Sequence, residues 1–338
     1  MYRRLRATRS ILPEKIKEGT FVSKKTFHAQ PNTIQHWQLR DLISTGSKAN
    51  EVYYVRYNQT LCYDTQTREA RVIQELGYAP TSMTMGHGYL AAGGQLGQLD
   101  VYSANEGNSI FSSDVGDNVN NSLHVGKSSA GDPCLLVSNN DCTVKVYDLP
   151  SLRRLASVTF PMAINYSAMS SDGKYMVCVG DSEHVYLYST QGEYQLLNTF
   201  SEASDSGMCC AWNASDTSFA SASQDGTVCV WDLRMGKLLA KLAAPRSCRA
   251  VKFSCGAIDL LTYTEHEGAC HIVDARTFQE QQVLTIPQNT SVDASSDISG
   301  IAFGKDGTRL YVGAGDQGIL EYEVDSIMRR SFSSGGLI

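Results

Sequence analysis

The sequence has no Cys-x-x-Cys pair, no excess of positive charge and no apolar run near the roughly 20 residues a membrane-crossing helix needs. The first absence argues against a zinc ribbon or a thioredoxin-like redox motif. The lack of a long apolar run argues against a membrane partner. With 29 Lys and Arg against 35 Asp and Glu, the net charge is −6, so no global field draws the chain to nucleic acid. Proline (8) and tryptophan (3) are scarce as well. No secretory signal precedes the first strand-like segment, and five of the ten cysteines (Cys62, Cys178, Cys209, Cys229 and Cys270) sit inside apolar or alternating runs. Free cysteine behaves there as a small hydrophobe, which points to a reducing compartment, the cytoplasm and/or nucleus.

Enzyme signatures are missing too. There is no P-loop, G-x-S-x-G elbow or H-E-x-x-H helix. Gly313-x-Gly315-x-x-Gly318 matches the dinucleotide fingerprint in letters, but "ILEYEV" follows it. That is a strand, where the fingerprint requires a helix N-terminus for the pyrophosphate. His266, Cys270 and His271 are close in sequence, yet strand alternation turns Cys270 and His271 to opposite faces, and no second ligand cluster is visible. The pattern predicts no catalytic residue, no cofactor and no metal.

What is abundant is glycine (28), tyrosine (17) and short alternating segments. The clearest unit is "GMCCAWNASDTSFASASQDGTVCVWDLRMGKLLAKL" over 207–242, in which "MCCAW", "SFASAS", "TVCVWDL" and "GKLLAKL" read as four strands joined by turns. The position of Trp231 recurs at Tyr63, Tyr102, Tyr147, Tyr188, Val273 and Glu323. The successive spacings are 39, 45, 41, 43, 42 and 50 residues. A period near 40–45 with a Trp-Asp dipeptide is the mark of a WD40 blade. In "TVCVW", Val228 and Val230 face one side and Cys229 and Trp231 the other, so both faces of the sheet need cover. Radial stacking supplies it. The sequence therefore predicts an all-β, seven-bladed WD40-type β-propeller over 21–330. Residues 21–28 are expected to close the ring by joining the last blade. A basic lead-in (1–20) and a flexible tail (331–338) flank it, and the long last spacing reflects a polar insertion at 287–297.

"WQLRDLIS" (37–44), "EVYYV" (51–55), "AAGGQLGQL" (91–99), "VSNNDCTVKVYDL" (137–149) and "FPMAINYSAMSSDGKYMVCVGD" (160–181) resemble one WD-repeat family of fungi and plants known by a domain of unknown function. The resemblance runs from about 34 to 324. It implies no chemistry. As an alternative role it implies the substrate receptor of a multi-subunit ubiquitin ligase recognising a short peptide or N-terminal degron.

In a propeller, the loops entering each blade and the turns between its second and third strands gather on one face, where partners dock. Here they make an amide- and carboxylate-rich rim: Asn120, Asn121, Asn139, Asn140, Asp141, Asp181 and Asp225, with Arg246 and Arg249 as basic points and Tyr78, Met162 and Tyr166 as apolar anchors. Such a rim suits other proteins or short peptides, with an N-terminal amine caught by Asp141, Asp181 or Asp225. Trp212 and Trp231 are expected in the core, and Trp37 as the opening residue of the first blade's inner strand. The Gly-His pair that normally holds the turn aspartate is absent before most blades, which predicts a rewired hydrogen-bond network. The function expected is a non-catalytic scaffold or adaptor, ahead of an enzyme with a channel-centred site.

Overall fold

The computed structural model describes residues 13–16, 20–255, 259–286 and 297–325. The rest of the lead-in, the tail and most of the polar insertion lie outside the described residues.

Seven four-stranded antiparallel sheets stand around a central channel. Blades 1 to 6 span 43–75, 82–114, 120–159, 164–201, 207–243 and 248–285, each a meander whose first strand is innermost. Blade 7 draws three strands from Gly300–Val324 and its outermost from the other end of the sequence. Val22–His28 pairs antiparallel with Ile319–Val324, registering Val22 with Val324 and His28 with Ile319. The expected closure is therefore present. Each innermost strand touches the next around all seven positions, so the ring has no open sheet edge inside it. One addition was not legible: Glu14–Lys15 runs parallel to Glu280–Thr285 as a fifth strand on blade 6.

The repeat positions chosen from sequence fall on one structural site. Tyr63, Tyr102, Tyr147, Tyr188, Trp231, Val273 and Glu323 are each the penultimate residue of a blade's third strand. Packing between blades 4 and 5 shows why an aromatic suits that site. Phe200 of blade 4 lies 4.8 Å from Trp231 and 5.5 Å from Phe219, and Trp212 lies 5.2 Å from Phe219. Val228, Cys229, Val230 and Trp231 are all buried, which confirms the two-sided cover expected of a stacked sheet. Fully burying side chains of this size contributes about 1.5–3 kcal/mol each. Gly226 turns the chain between the second and third strands of blade 5 at φ +83°, and a Cβ there would sit 2.7 Å from the Ala244 carbonyl oxygen. Only glycine meets both conditions without strain.

Candidate functional site

The loop face carries the candidate site, and its hydrogen bonds show how much of the expected rim is already committed. Asn139 donates through Nδ2 to the Asn120 side chain (2.8 Å) and to Asn118 O (2.9 Å), while its Oδ1 accepts from the Asp141 amide. Asn120 donates to Gln98 O at 2.7 Å, and its carbonyl accepts from the hydroxyls of Thr81 and Ser82. Asn120, Asn121 and Asn139 are buried. Asn120 joins blade 3 to blade 2 and is held by Asn139, while Asn121 reaches Ile164 O in blade 4; a buried amide left unpaired costs about 1–3 kcal/mol. Asn140 is exposed and accepts from Asn121.

The three aspartates expected to catch an amine have partners within the chain. Asp141 accepts from Thr143 and from Lys145 Nζ at 2.5 Å. Burial alone would raise its carboxyl, but Lys145 and Thr143 bring it below the usual range. Asp225 accepts from the amide and hydroxyl of Thr227 and from the amide and hydroxyl of Ser204. Against the opposing effect of burial, Thr227 and Ser204 lower it to about 2. Ser204 thus stands where the histidine of a Gly-His pair would reach the turn aspartate. This is the rewiring that the missing histidine implied. Asp181 is exposed and accepts from Asn165 Nδ2 at 2.9 Å.

The apolar and basic points divide as well. Tyr78 is half-buried, its ring against Gly94 and its hydroxyl donating to Ala92 O. Met162 is half-buried on the core between blades 3 and 4. Tyr166 is not a rim anchor: it is buried inside the channel. Its hydroxyl donates to Asp41 Oδ2 (2.8 Å) and accepts from Lys252 Nζ (2.7 Å), and Lys252 lies 3.3 Å from Asp41. Strand alternation explains the shift, because Tyr166 follows a β-bulge that turns it inward. Arg246 is exposed and pairs with Glu267 at 2.7 Å, whereas Arg249 is buried.

In the channel cluster, burial and the neighbouring groups pull the titratable side chains in different directions. Burial alone would weaken the Lys252 ammonium, but Asp41 and Tyr166 hold its pKa well above the usual value. Burial pushes His124 down to about 3 and the Cys209 thiol up to about 11. A base or nucleophile working at neutral pH needs the opposite direction for lysine and thiol. Below the cluster, a cavity of about 410 Å³ opens on the opposite face, lined in part by His124, Ala168, Ala211 and Lys252. His271 is engaged elsewhere, stacked 4.7 Å from Tyr263 and bonded to Glu265.

The residue most at odds with its expected role is Trp37. The inner strand of blade 1 begins only at Ile43. Residues 29–42 run across the channel mouth from the outermost strand of blade 7, and Trp37 stands 69% exposed upon that crossing. Tyr57 (64% exposed) and Leu96 (67%) occupy the neighbouring turns of blades 1 and 2. The Tyr57 amide donates to Thr33, and Gln95 donates to Gln35 O, so both turns are tied to the same crossing. Beside Trp37 lies a cleft of about 290 Å³ with Asn32, Arg40, Asp297 and Asp316 among its lining. A signal was available in sequence: "PNTIQHWQLR" lacks the alternation of a strand.

Comparison with known proteins agrees with this architecture. Residues 194–232 match the WD domain, G-beta repeat, and residues 247–285 match an uncharacterised protein domain, DUF2415. An uncharacterised protein of Schizosaccharomyces pombe is 33% identical over 323 residues, covering 90% of this chain and 92% of its own. An uncharacterised protein of Saccharomyces cerevisiae is 27% identical over 208 residues, covering 47% of this chain and 28% of its own. WD-repeat propellers serve generally as protein-interaction scaffolds and are typically non-enzymatic. Blade repeat, closed ring and near-full-length relative together show that the chain belongs to the WD-repeat β-propeller family that carries the DUF2415 domain.

Proposed function

We propose that this propeller is a non-catalytic adaptor that binds a protein or short peptide on its loop face, over blades 1 and 2 and the channel mouth. The observation that carries this reading is the grouping of Trp37, Tyr57 and Leu96, all exposed, on one face and linked to one chain crossing. Exposed apolar side chains rimmed by polar groups mark interaction sites, and Trp and Tyr are the residues that most often anchor them. Rim groups that remain exposed, Asn140, Asp181 and Arg246, offer polar contacts around it. Net charge of −6 favours a protein partner over nucleic acid. Ten free cysteines, eight of them buried, support a cytoplasmic or nuclear setting.

The test compares proteins that co-purify with the tagged full chain, with the Trp37→Ala/Leu96→Ala variant, and with Met235→Ala, which alters an exposed residue on the opposite face. Loss of partners from the double variant alone is the expected result. Unchanged partners would place the interface elsewhere.

A further inference from the structure

The innermost strands of blades 3 to 6 each carry a β-bulge at their loop-face end, between Asn120 and Ser122, Ile164 and Tyr166, Gly207 and Cys209, and Cys248 and Ala250. The extra residues are Asn121, Asn165, Met208 and Arg249. They lie on four consecutive blades of the seven, at the channel mouth. Asn121 donates to Ile164 O and Asn165 to Gly207 O, both at 3.0 Å, so each pins its blade to the next. The pattern stops at blade 6. Arg249 is 8% exposed; among the described residues, its one recorded acceptor is the Met208 sulfur, 2.9 Å from Nη1. Its Nε is buried without a partner, and no carboxylate of the described residues stands within ion-pair distance of it.

A second buried arginine makes the imbalance sharper. Arg40, 6% exposed, donates to His36 O, Leu39 O and Asp297, and its own Nε has no partner. After burial itself, the proximity of Arg40 is the main influence lowering the proton affinity of Arg249. The nearby acids are otherwise occupied or outside the mouth. Asp297 bonds Arg40, Asp41 belongs to Lys252 and Tyr166, and exposed Asp205 accepts from the Ser206 amide. A guanidinium cannot escape such a position by losing its proton. Burying it without a counter-charge is destabilising, and a ligand that supplied the missing anion would offset that cost.

We propose that the channel mouth binds a carboxylate of the docking partner, an acidic side chain or a C-terminus, between Arg249 and Arg40. This rests on the loop-face reading above and gives its partner a chemistry: an acidic peptide segment, not a free N-terminal amine. Trp37, in the cleft that Arg40 also lines, takes the apolar neighbour of that acid.

Two measurements test it. In the first, the Tm of the full chain is followed as acetate replaces chloride at constant ionic strength. Acetate raises the Tm of the wild type and leaves Arg249→Met unmoved. In chloride, Arg249→Met melts no lower than the wild type, because it removes a buried cation that has no counter-charge. If it melts several degrees lower, the counter-charge is already internal and the proposal fails.

In the second, immobilised wild type is offered four fluorescent octapeptide pools, random except for one fixed Asp or Asn, each with a free or amidated C-terminus. Asp-fixed pools retained over Asn-fixed pools indicate a side-chain acid, and free-acid pools over amidated ones a C-terminus. The expected preference is about tenfold, equivalent to about 1.4 kcal/mol, and is absent in Arg249→Met. Equal retention of all four pools overturns the proposal. Trp37→Ala separates the two readings: it loses peptide retention while keeping the acetate response. Loss of neither would refute the loop-face reading and leave the anion site standing.

Discussion

Replacing His28 by alanine should loosen the ring at its closure. His28 ends the strand that the N-terminal sequence donates to blade 7, and it is 4% exposed. Its Nε2 lies 2.8 Å from Glu321 Oε2 in the neighbouring strand, and its Nδ1 lies 3.1 Å from the Tyr63 hydroxyl in blade 1. One imidazole therefore holds the donated strand to its own blade and the last blade to the first. A hydrogen bond to a charged group contributes about 1.5–3 kcal/mol and a neutral one about 1, so the loss should total about 2–4 kcal/mol. At roughly 2 °C per kcal/mol, the lower end for large domains, the Tm should fall by about 4–8 °C. Calorimetry or tryptophan fluorescence on the full chain measures this. Lys24→Ala is the internal control. It breaks an ion pair in the same strand pair, Lys24 to Glu323 at 3.0 Å, but Lys24 is 76% exposed, and exposed pairs contribute little. Equal Tm changes in the two variants would refute the assignment of closure to His28. Acid sensitivity gives a second readout. The hydrogen bond from His28 is the largest influence holding the Glu321 carboxyl below its usual range, with Arg309 adding to it. That stabilisation is complete above the ordinary glutamate range and fades as pH falls below it, so His28→Ala should show a shallower acid limb.

Asp225 offers a related test in blade 5. With its carboxyl held near 2, its contribution is present above the unfolded value of about 4 and is lost as pH falls from about 4 towards 2. Asp225→Asn should cost about 1–2 kcal/mol at neutral pH and flatten urea-midpoint profiles across that acid window; an unaltered profile would show that Ser204 and Thr227 do not depend on the charge. Thiol labelling checks the core directly. Burial raises Cys229 to about 12 and Cys134 to about 12, so an aromatic disulfide reagent should label Cys255 and Cys142 in the native protein and the other eight cysteines only on unfolding. Fast labelling of Cys209 or Cys229 in native protein would contradict the packing of blade 5.

Much of the architecture was legible because a blade repeats its own constraints. A four-stranded sheet with two buried faces needs alternating apolar residues, a tight turn and a large side chain at a fixed offset. Those demands left their mark every 39 to 50 residues, even where Glu323 replaced the aromatic. The strand at 21–28 was legible for the same reason, since its alternation had no other sheet to join. The site was harder to read. Asn120, Asn121 and Asn139 look in sequence like a polar rim, and in three dimensions they are the fasteners between blades 2, 3 and 4. Tyr166 was misplaced because a bulge, invisible in composition, reverses which side of the strand faces the channel.

The sequence by itself determined the number of blades, the partner of the closing strand and the apolar surroundings of Cys62, Cys178, Cys209, Cys229 and Cys270, because each follows from local pattern and period. Tertiary structure alone decided which polar groups are used up and which are left over. Arg40 and Arg249 are 209 positions apart in the chain, and Trp37, Tyr57 and Leu96 belong to three separate loops. Their convergence depends on ring closure, which brings the ends of the chain together. No period records the charge balance of a channel mouth, because that balance is a sum over blades that meet only once the ring is shut.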